Sequence, residues 1–427
     1  MILVLFGTMF LFIVLGVPIS FALGLSTVTA IVTFAPEMPL MLVVQRMFTG
    51  INSFPIMCIP FFILAGEFMS AGDISYKLIN LANVFVGRIR GGLAHVNILA
   101  SMFFGGVSGA ATADASSLGA ILIPTMEKAG YDKDFSVAVT ATSAPIGIII
   151  PPSNVMIVYA TVAGSVSISG LFLAGIIPGI LVGLGLMVVA YIICVKRGYN
   201  VDTSLAWKDV PRAILQGIPP MITFVIILGG ILGGIFTPTE SAVVAAFYSF
   251  CLSFFIYKNV QLKAIWGITR RAAIMTSVVL LLIGVSSIFG WLLAFAKIPV
   301  VLAETLLSIT TNKNLLLLLI FLCLLVVGTF MDATPAVIIF APIFLPLVQE
   351  LGMDPIQFGL ILVVSFAIGN YTPPVGAVLF ITCGIGKISI DDAFKAIVPF
   401  MVSTIVVALL VIYVEPISMF LPRLLNG

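Results

Sequence analysis

The chain has 427 residues, of which 61% are hydrophobic and only 8% charged, with a net charge of +2 and a mean hydropathy of +1.28. A soluble globular domain carries charge on about a quarter of its residues, so the composition excludes that class and points to an all-α polytopic membrane protein in a lipid bilayer. The apolar runs are continuous, which excludes a β-barrel, and the charge is too small to argue for nucleic acid or another acidic partner.

Apolar stretches of about 17–25 residues span a bilayer. In chain order the candidates are 2–17, 18–35, 54–71, 136–150, 154–165, 170–194, 216–236, 241–257, 272–295, 314–327, 357–371, 374–385 and 396–420. The first basic residue is Arg46, so the N-terminal run lacks the positive segment of a cleavable signal and reads as a retained span. Segments 97–126 and 326–348 are interrupted by small or polar residues and read as re-entrant hairpins. Lys196, Arg197, Lys208 and Arg212 form one basic loop, and Lys258, Lys263, Arg270 and Arg271 another. With two spans between them, both lie on the cytoplasmic side under the positive-inside rule. A third basic loop surrounds Lys77, Arg88 and Arg90. His95, at the start of an apolar segment, reads as interfacial, and Arg46 and Lys297 as snorkelling cations. Thr237-Pro238-Thr239-Glu240 reads as a helix start with its acid in the first turn. The cysteines (Cys58, Cys194, Cys251, Cys323 and Cys383) have no metal-ligand spacing. A P-loop pattern is missing, so no nucleotide is expected as the energy source.

One helix-breaking signal occurs twice, as Gly147-Ile-Ile-Ile-Pro151-Pro152-Ser153-Asn154 and as Gly369-Asn-Tyr-Thr-Pro373-Pro374-Val375-Gly376. A proline pair removes two backbone donors and clashes with the preceding turn, so each helix is expected to break there. In hydrocarbon such backbone survives only where protein buries it or where it lines a cavity. A shift of 222 residues aligns Gly130 with Gly352, Asp132 with Asp354, Gly147 with Gly369 and Pro151-Pro152 with Pro373-Pro374. It gives seven identities in 23 ungapped positions, mostly Gly, Pro and Asp, which membrane composition alone does not explain. Upstream, Asp114 pairs with Asp332 and Pro124 with Pro342 at a shift of 218. The chain therefore reads as two halves, 1–210 and 211–427. Each has a hairpin (97–126 and 326–348) and a broken helix (147–154 and 369–376), and an odd span count per half would make them inverted.

Broken helices at matching positions of two halves are the sequence pointer to a transporter's binding site. Unwound carbonyls suit a hard cation such as Na⁺, with hydroxyl oxygens available from Ser108, Thr329 and Thr372, while half-helix N-termini favour an anion such as a carboxylate. Asp114 in Gly105-Gly-Val-Ser108-Gly-Ala-Ala-Thr112-Ala-Asp114 and Asp332 in Gly328-Thr329-Phe330-Met331-Asp332 are ionisable groups at membrane depth, which marks function by default. Both precede helical segments and are read as caps of the hairpin half-helices as well. An intramembrane aspartyl protease would need two carboxylates sharing a proton. Here each lies beside its own break, so no enzyme is expected.

The runs GGVSGAATADASSLGAILIP, GIIIPPSN, GGIFTPTESA, GTFMDATPAVIIFAPIFLP and GNYTPPVG, in that order over the whole chain, resemble the large membrane subunit of tripartite ATP-independent periplasmic (TRAP) transporters. The resemblance implies an elevator-type secondary transporter of the bacterial inner membrane, driving Na⁺-coupled uptake of an organic acid. It implies two partners: a small four-span membrane subunit, here expected as a separate chain, and a periplasmic substrate-binding protein. Two Na⁺ sites are implied. One would use Ser108, Gly147, Ile150 and Pro152, the other Gly328, Gly369, Thr372 and Val375. Asp114, Asp332 and Thr329 would support the hairpins, and the acid would lie near Ser153 and Asn154. The sialic acid branch is the nearest match, with a C4-dicarboxylate or another sugar acid as alternative substrates. A stand-alone Na⁺/carboxylate symporter of similar architecture is the alternative to a three-part system.

Overall fold

The structure is a computed structural model. It describes residues 1–427 except 165, 200–207, 299–300, 302–304, 306–307, 309, 311 and 427. The described chain is helical throughout, and eight of its helices are long and apolar enough to cross a membrane. A further span is broken, with Lys133–Ile149 and Asn154–Ala163 meeting at 43°. This is the all-α multi-pass architecture that composition dictates.

Two helices were not legible as apolar runs. Met41–Ile51 and Ile74–Val86 are amphipathic and short. The first has no buried residue and sets the Arg46 guanidinium 5.4 Å over the Trp291 ring. Other boundaries also move. Lys77 lies inside Ile74–Val86, and Arg270 and Arg271 lie inside Leu262–Phe295 rather than in loops. At 34 residues that helix is about 51 Å long, well beyond a bilayer's hydrocarbon thickness, so its first turns can carry cations. The expected 396–420 span is two helices, Ile390–Tyr413 and Glu415–Asn426. His95 is only 3% exposed, packed among helices in the first turn of Gly92–Ser108. Thr237 and Glu240 form a full capping box on Pro238–Cys251, and the repeated Asp132 and Asp354 both stand at helix N-caps.

Two groups of helices position the site. Cys58–Ala71, Val210–Leu232, Pro238–Cys251 and Leu262–Phe295 pack as one wall. Against it stand two helical hairpins, Gly92–Ser108 with Ala111–Lys128 and Lys313–Phe330 with Ala333–Glu350. The helices beyond the breaks interlock with them reciprocally. Asn154–Ala163 packs on Ala333–Glu350, and Ala377–Gly386 packs on Ala111–Lys128. Each break is therefore braced by the other hairpin, which gathers all four elements into one cluster.

A third proline pair qualifies the rule that prolines break helices. Pro219-Pro220 sits inside the unbroken helix Val210–Leu232. Pro220 has no N–H for the Gln216 carbonyl four residues back, and the Tyr257 hydroxyl donates to that carbonyl instead. Tyr248 donates to the Pro219 carbonyl at 2.9 Å, an oxygen whose ordinary helical donor, Thr223 N–H, is still present. Tyr257→Phe should therefore cost about 1–2 kcal/mol by orphaning an acceptor. Tyr248→Phe should cost clearly less. Thermal unfolding of the two variants in detergent checks the order.

Candidate functional site

The first hairpin turns on Gly109, whose φ of 61° lies in the left-handed region where glycine carries no steric cost. Its N–H closes the preceding helix on the Gly105 carbonyl at 3.2 Å. The tip is packed onto the first break without room for side chains. A Cβ on Gly105 would lie 2.4 Å from Gly147 Cα, and one on Gly109 would lie 2.8 Å from the Pro152 carbonyl oxygen. Beneath this crossing lies Asp114, with no solvent exposure. One of its oxygens accepts from the Ser108 hydroxyl. The other has no hydrogen-bond partner and points at Gly147, where an added Cβ would meet it at 2.1 Å. Ser108, Gly147, Pro152 and Asp114 thus converge. Ile150 belongs to the same strand of unwound backbone, but its side chain packs away, against Gly179.

The second hairpin repeats the crossing with different detail. A Cβ on Gly369 would lie 2.3–2.5 Å from the Gly328 backbone. The Thr329 carbonyl accepts from Val375 N at 3.2 Å and Gly376 N at 3.1 Å, docking hairpin to break through backbone. Thr329 and Thr372 hydroxyls turn back to the Val326 and Ile368 carbonyls, both at 2.7 Å. The Val375 side chain is exposed. Gly328, Thr329, Gly369, Thr372 and Val375 are therefore one backbone-built junction.

The two aspartates are not equivalent. Asp332 is the N-cap of Ala333–Glu350 and accepts from Ala333 N at 2.9 Å. Asp114 lies in the first turn of Ala111–Lys128, whose N-cap is Ala110 with no side-chain cap. The expectation that both cap a half-helix fails for Asp114, whose carboxylate is turned inward to Ser108.

Hairpin tips and wall enclose a cavity of about 700 Å³. Ser108, Thr112, Asn154 and Asp332 face it from the hairpin and break side. Asn154 Oδ1 is buried without a hydrogen-bond partner. Ser153, expected beside it, is instead a buried cap that donates to the Ile148 carbonyl at 2.7 Å and accepts from Met156 N at 3.3 Å. From the wall come Glu67 and Arg271, whose Nε donates to Glu67 Oε2 at 2.8 Å. Neither was singled out from sequence as a site residue. The available signal is a Glu and an Arg within otherwise apolar helices, but Arg271 stands next to Arg270 and reads as a loop cation.

No group of three His, Cys, Asp or Glu side chains fit to hold a metal occurs among the described residues. What the breaks offer a cation is oxygen of another kind: carbonyls of unwound backbone, the Ser108 hydroxyl and the unpartnered Asp114 oxygen. That all-oxygen donor set fits a hard cation rather than a soft transition metal.

Residues 6–417 match the family model described as "Tripartite ATP-independent periplasmic transporter, DctM component". The chain is 44% identical to protein YgiK of Salmonella typhimurium, covering 99% of this chain and 97% of that one. It is 41% identical to the isethionate TRAP transporter permease protein DctMQ of Oleidesulfovibrio alaskensis, covering 98% of this chain and 66% of the relative. It is 36% identical to the sialic acid TRAP transporter large permease protein SiaM of Vibrio cholerae, with 96% of each covered. Among solved structures, the YdaH transporter of Alcanivorax borkumensis shares the fold, with a TM-score of 0.65 at 18% identity over 88% of each chain.

Proposed function

From the premise that this chain belongs to the DctM-component family of tripartite ATP-independent periplasmic transporters, and so is a transporter permease and not an enzyme, we propose that it imports a small organic acid across the bacterial inner membrane, driven by Na⁺. The observation that carries this reading is the pair of glycine crossings, Gly105 on Gly147 and Gly328 on Gly369, beside one cavity. A Na⁺ at the first crossing would be held by Ser108, Gly147, Ile150 and Pro152, with the free Asp114 oxygen supplying negative charge nearby. At the second it would be held by backbone oxygens of Gly328, Gly369 and Val375 and by Thr372. The ion supplies charge to offset the acid, while the residues bind it and lock hairpin to break. Na⁺ bound at these crossings ties each hairpin, whose tip borders the cavity, to its break, so the two ligands stabilise the same arrangement.

The acid occupies the cavity between the hairpin tips and the wall, near Asn154. Movement of the hairpin-and-break cluster along the wall, as an elevator, carries it across. The relatives' names join isethionate and sialic acid, a sulfonate and a carboxylate, so the common chemistry is one anionic acid group on a small polar body. N-acetylneuraminate, a C4-dicarboxylate and isethionate are the acids to try. The small four-span subunit and the periplasmic binding protein complete the system.

The test is uptake into proteoliposomes holding the chain and its small subunit, with the binding protein outside. An inward Na⁺ gradient should drive accumulation of one of these acids, and choline in place of Na⁺ should abolish it. Uptake that persists undiminished in choline would contradict the coupling, and uptake without the binding protein would favour a stand-alone symporter.

A further inference from the structure

Resting on the reading of the cavity as an acid site, we propose that Arg271 on the wall receives the acid group of the transported molecule, and that Glu67 holds its guanidinium in position. Arg271 lies on Leu262–Phe295 and Glu67 on Cys58–Ala71, two helices that already pack together. The bond between them engages Nε alone. The Nη1–Nη2 edge, the fork that matches a carboxylate or sulfonate with two parallel hydrogen bonds, makes no hydrogen bond to the described residues. Exposure points the same way: the Arg271 side chain is 53% exposed against 25% for Glu67, so it is the cation that the cavity sees. An ion pair this open adds little to stability, which leaves its conspicuous position without a structural reason.

Arg271 is the one Lys or Arg among the cavity's described lining residues. Beyond it the same helix presents Ile274, Met275, Val278 and Leu282. The opposite face carries Asp332 and the hairpin hydroxyls. An entering acid is therefore oriented. Its anionic group is drawn to the wall, and its neutral polar body is left to Ser108, Thr112 and Asn154. The same arrangement explains why cations must enter with it. Arg271 is already paired with Glu67, so the lining carries no net positive charge before any acid arrives. A further negative charge in a partly desolvated site is costly unless positive charge is added. Binding of the acid and binding of Na⁺ are then linked through the cavity's charge and not only through its shape.

The experiment uses the full-length chain purified in detergent, with thermal unfolding read against Na⁺ alone and against succinate, isethionate and N-acetylneuraminate at fixed Na⁺. At least one acid should raise Tm of the unaltered chain. Arg271→Gln should weaken that response by roughly 10- to 100-fold in half-saturating concentration, as expected for a lost charge-assisted pair of bonds. Arg271→Lys, which keeps the charge and loses the fork, should fall between. Glu67→Gln, which keeps an oxygen for Nε but loses the charge that holds it, should weaken the response by clearly less than Arg271→Gln does. A retained Na⁺ response in each variant reports that it is folded. A wild-type acid response in Arg271→Gln would overturn the proposal, as would an equal loss in Glu67→Gln, which would make the pair a structural clasp. If Arg271→Gln is not recovered folded, an Arg271→Lys response equal to wild type overturns it. If none of the three acids shifts the unaltered chain while Na⁺ does, Arg271 is not the acid's anchor and the Na⁺ sites stand. Acid responses without any Na⁺ response would instead contradict the sodium sites.

Discussion

Gly369→Ala should abolish transport, and Gly147→Ala should come close to doing so. A methyl on Gly369 would lie 2.3 Å from Gly328 C and 2.5 Å from Gly328 Cα and O. These are backbone atoms of a packed helix, with no rotamer to yield. Protein interiors are close-packed, and forcing in a methylene typically costs about 1–3 kcal/mol. Here the strain falls on the junction where the Thr329 carbonyl binds Val375 and Gly376, so hairpin and break must separate even if the fold survives. At Gly147 the methyl would meet the Asp114 carboxylate at 2.1 Å, a side chain that can shift, but only by giving up its place under Ser108. Gly384→Ala is the control. It lies in the helix Ala377–Gly386, just beyond the second break, and its methyl would meet nothing within 4 Å, so it should be neutral or slightly stabilising. Uptake and thermal unfolding of the three variants decide the matter. If Gly369→Ala transports like Gly384→Ala, the crossing is not the critical contact.

Asp114→Asn is the second large effect. The substitution keeps size and an oxygen for the Ser108 hydroxyl, and removes only the charge. A neutral amide should leave thermal stability within about 1–2 kcal/mol of the parent, since the shape is conserved and one hydrogen bond is retained. Transport and Na⁺ binding should fall together, by roughly 10- to 100-fold, if the carboxylate supplies the charge that makes the first crossing attractive to a cation. Leu322→Ala, on an exposed apolar face, should change transport little. Normal Na⁺ dependence in Asp114→Asn would reduce Asp114 to a structural residue.

The breaks were legible because glycine and paired prolines in an apolar run have few other uses. The hairpins were legible because Ser, Thr and Asp interrupt hydrophobic sequence at membrane depth. What escaped was tertiary. Pro219-Pro220 carries the same local signal as the real breaks, yet the helix continues, and a hydroxyl 41 residues away replaces one of the two missing donors. Arg271 looked like one more loop cation because its partner Glu67 is 204 residues distant. Met41–Ile51 lacks a long apolar run because Gln45, Arg46 and Thr49 interrupt it. Asp114 and Asp332 align in sequence, yet one caps a helix and the other lies inside the next turn. Alignment registers residues to within a turn, and a single turn changes what a carboxylate meets.

On the proposed reading, the two hairpin-and-break junctions each hold a Na⁺ whose entry drives the acid inward. Its most direct test counts both species in one vesicle, with labelled sodium and labelled acid followed together in proteoliposomes carrying the complete system. Two junctions predict about two Na⁺ moved per acid, with both fluxes lost together in Gly369→Ala. Acid uptake at an unchanged rate with no accompanying sodium flux would contradict it.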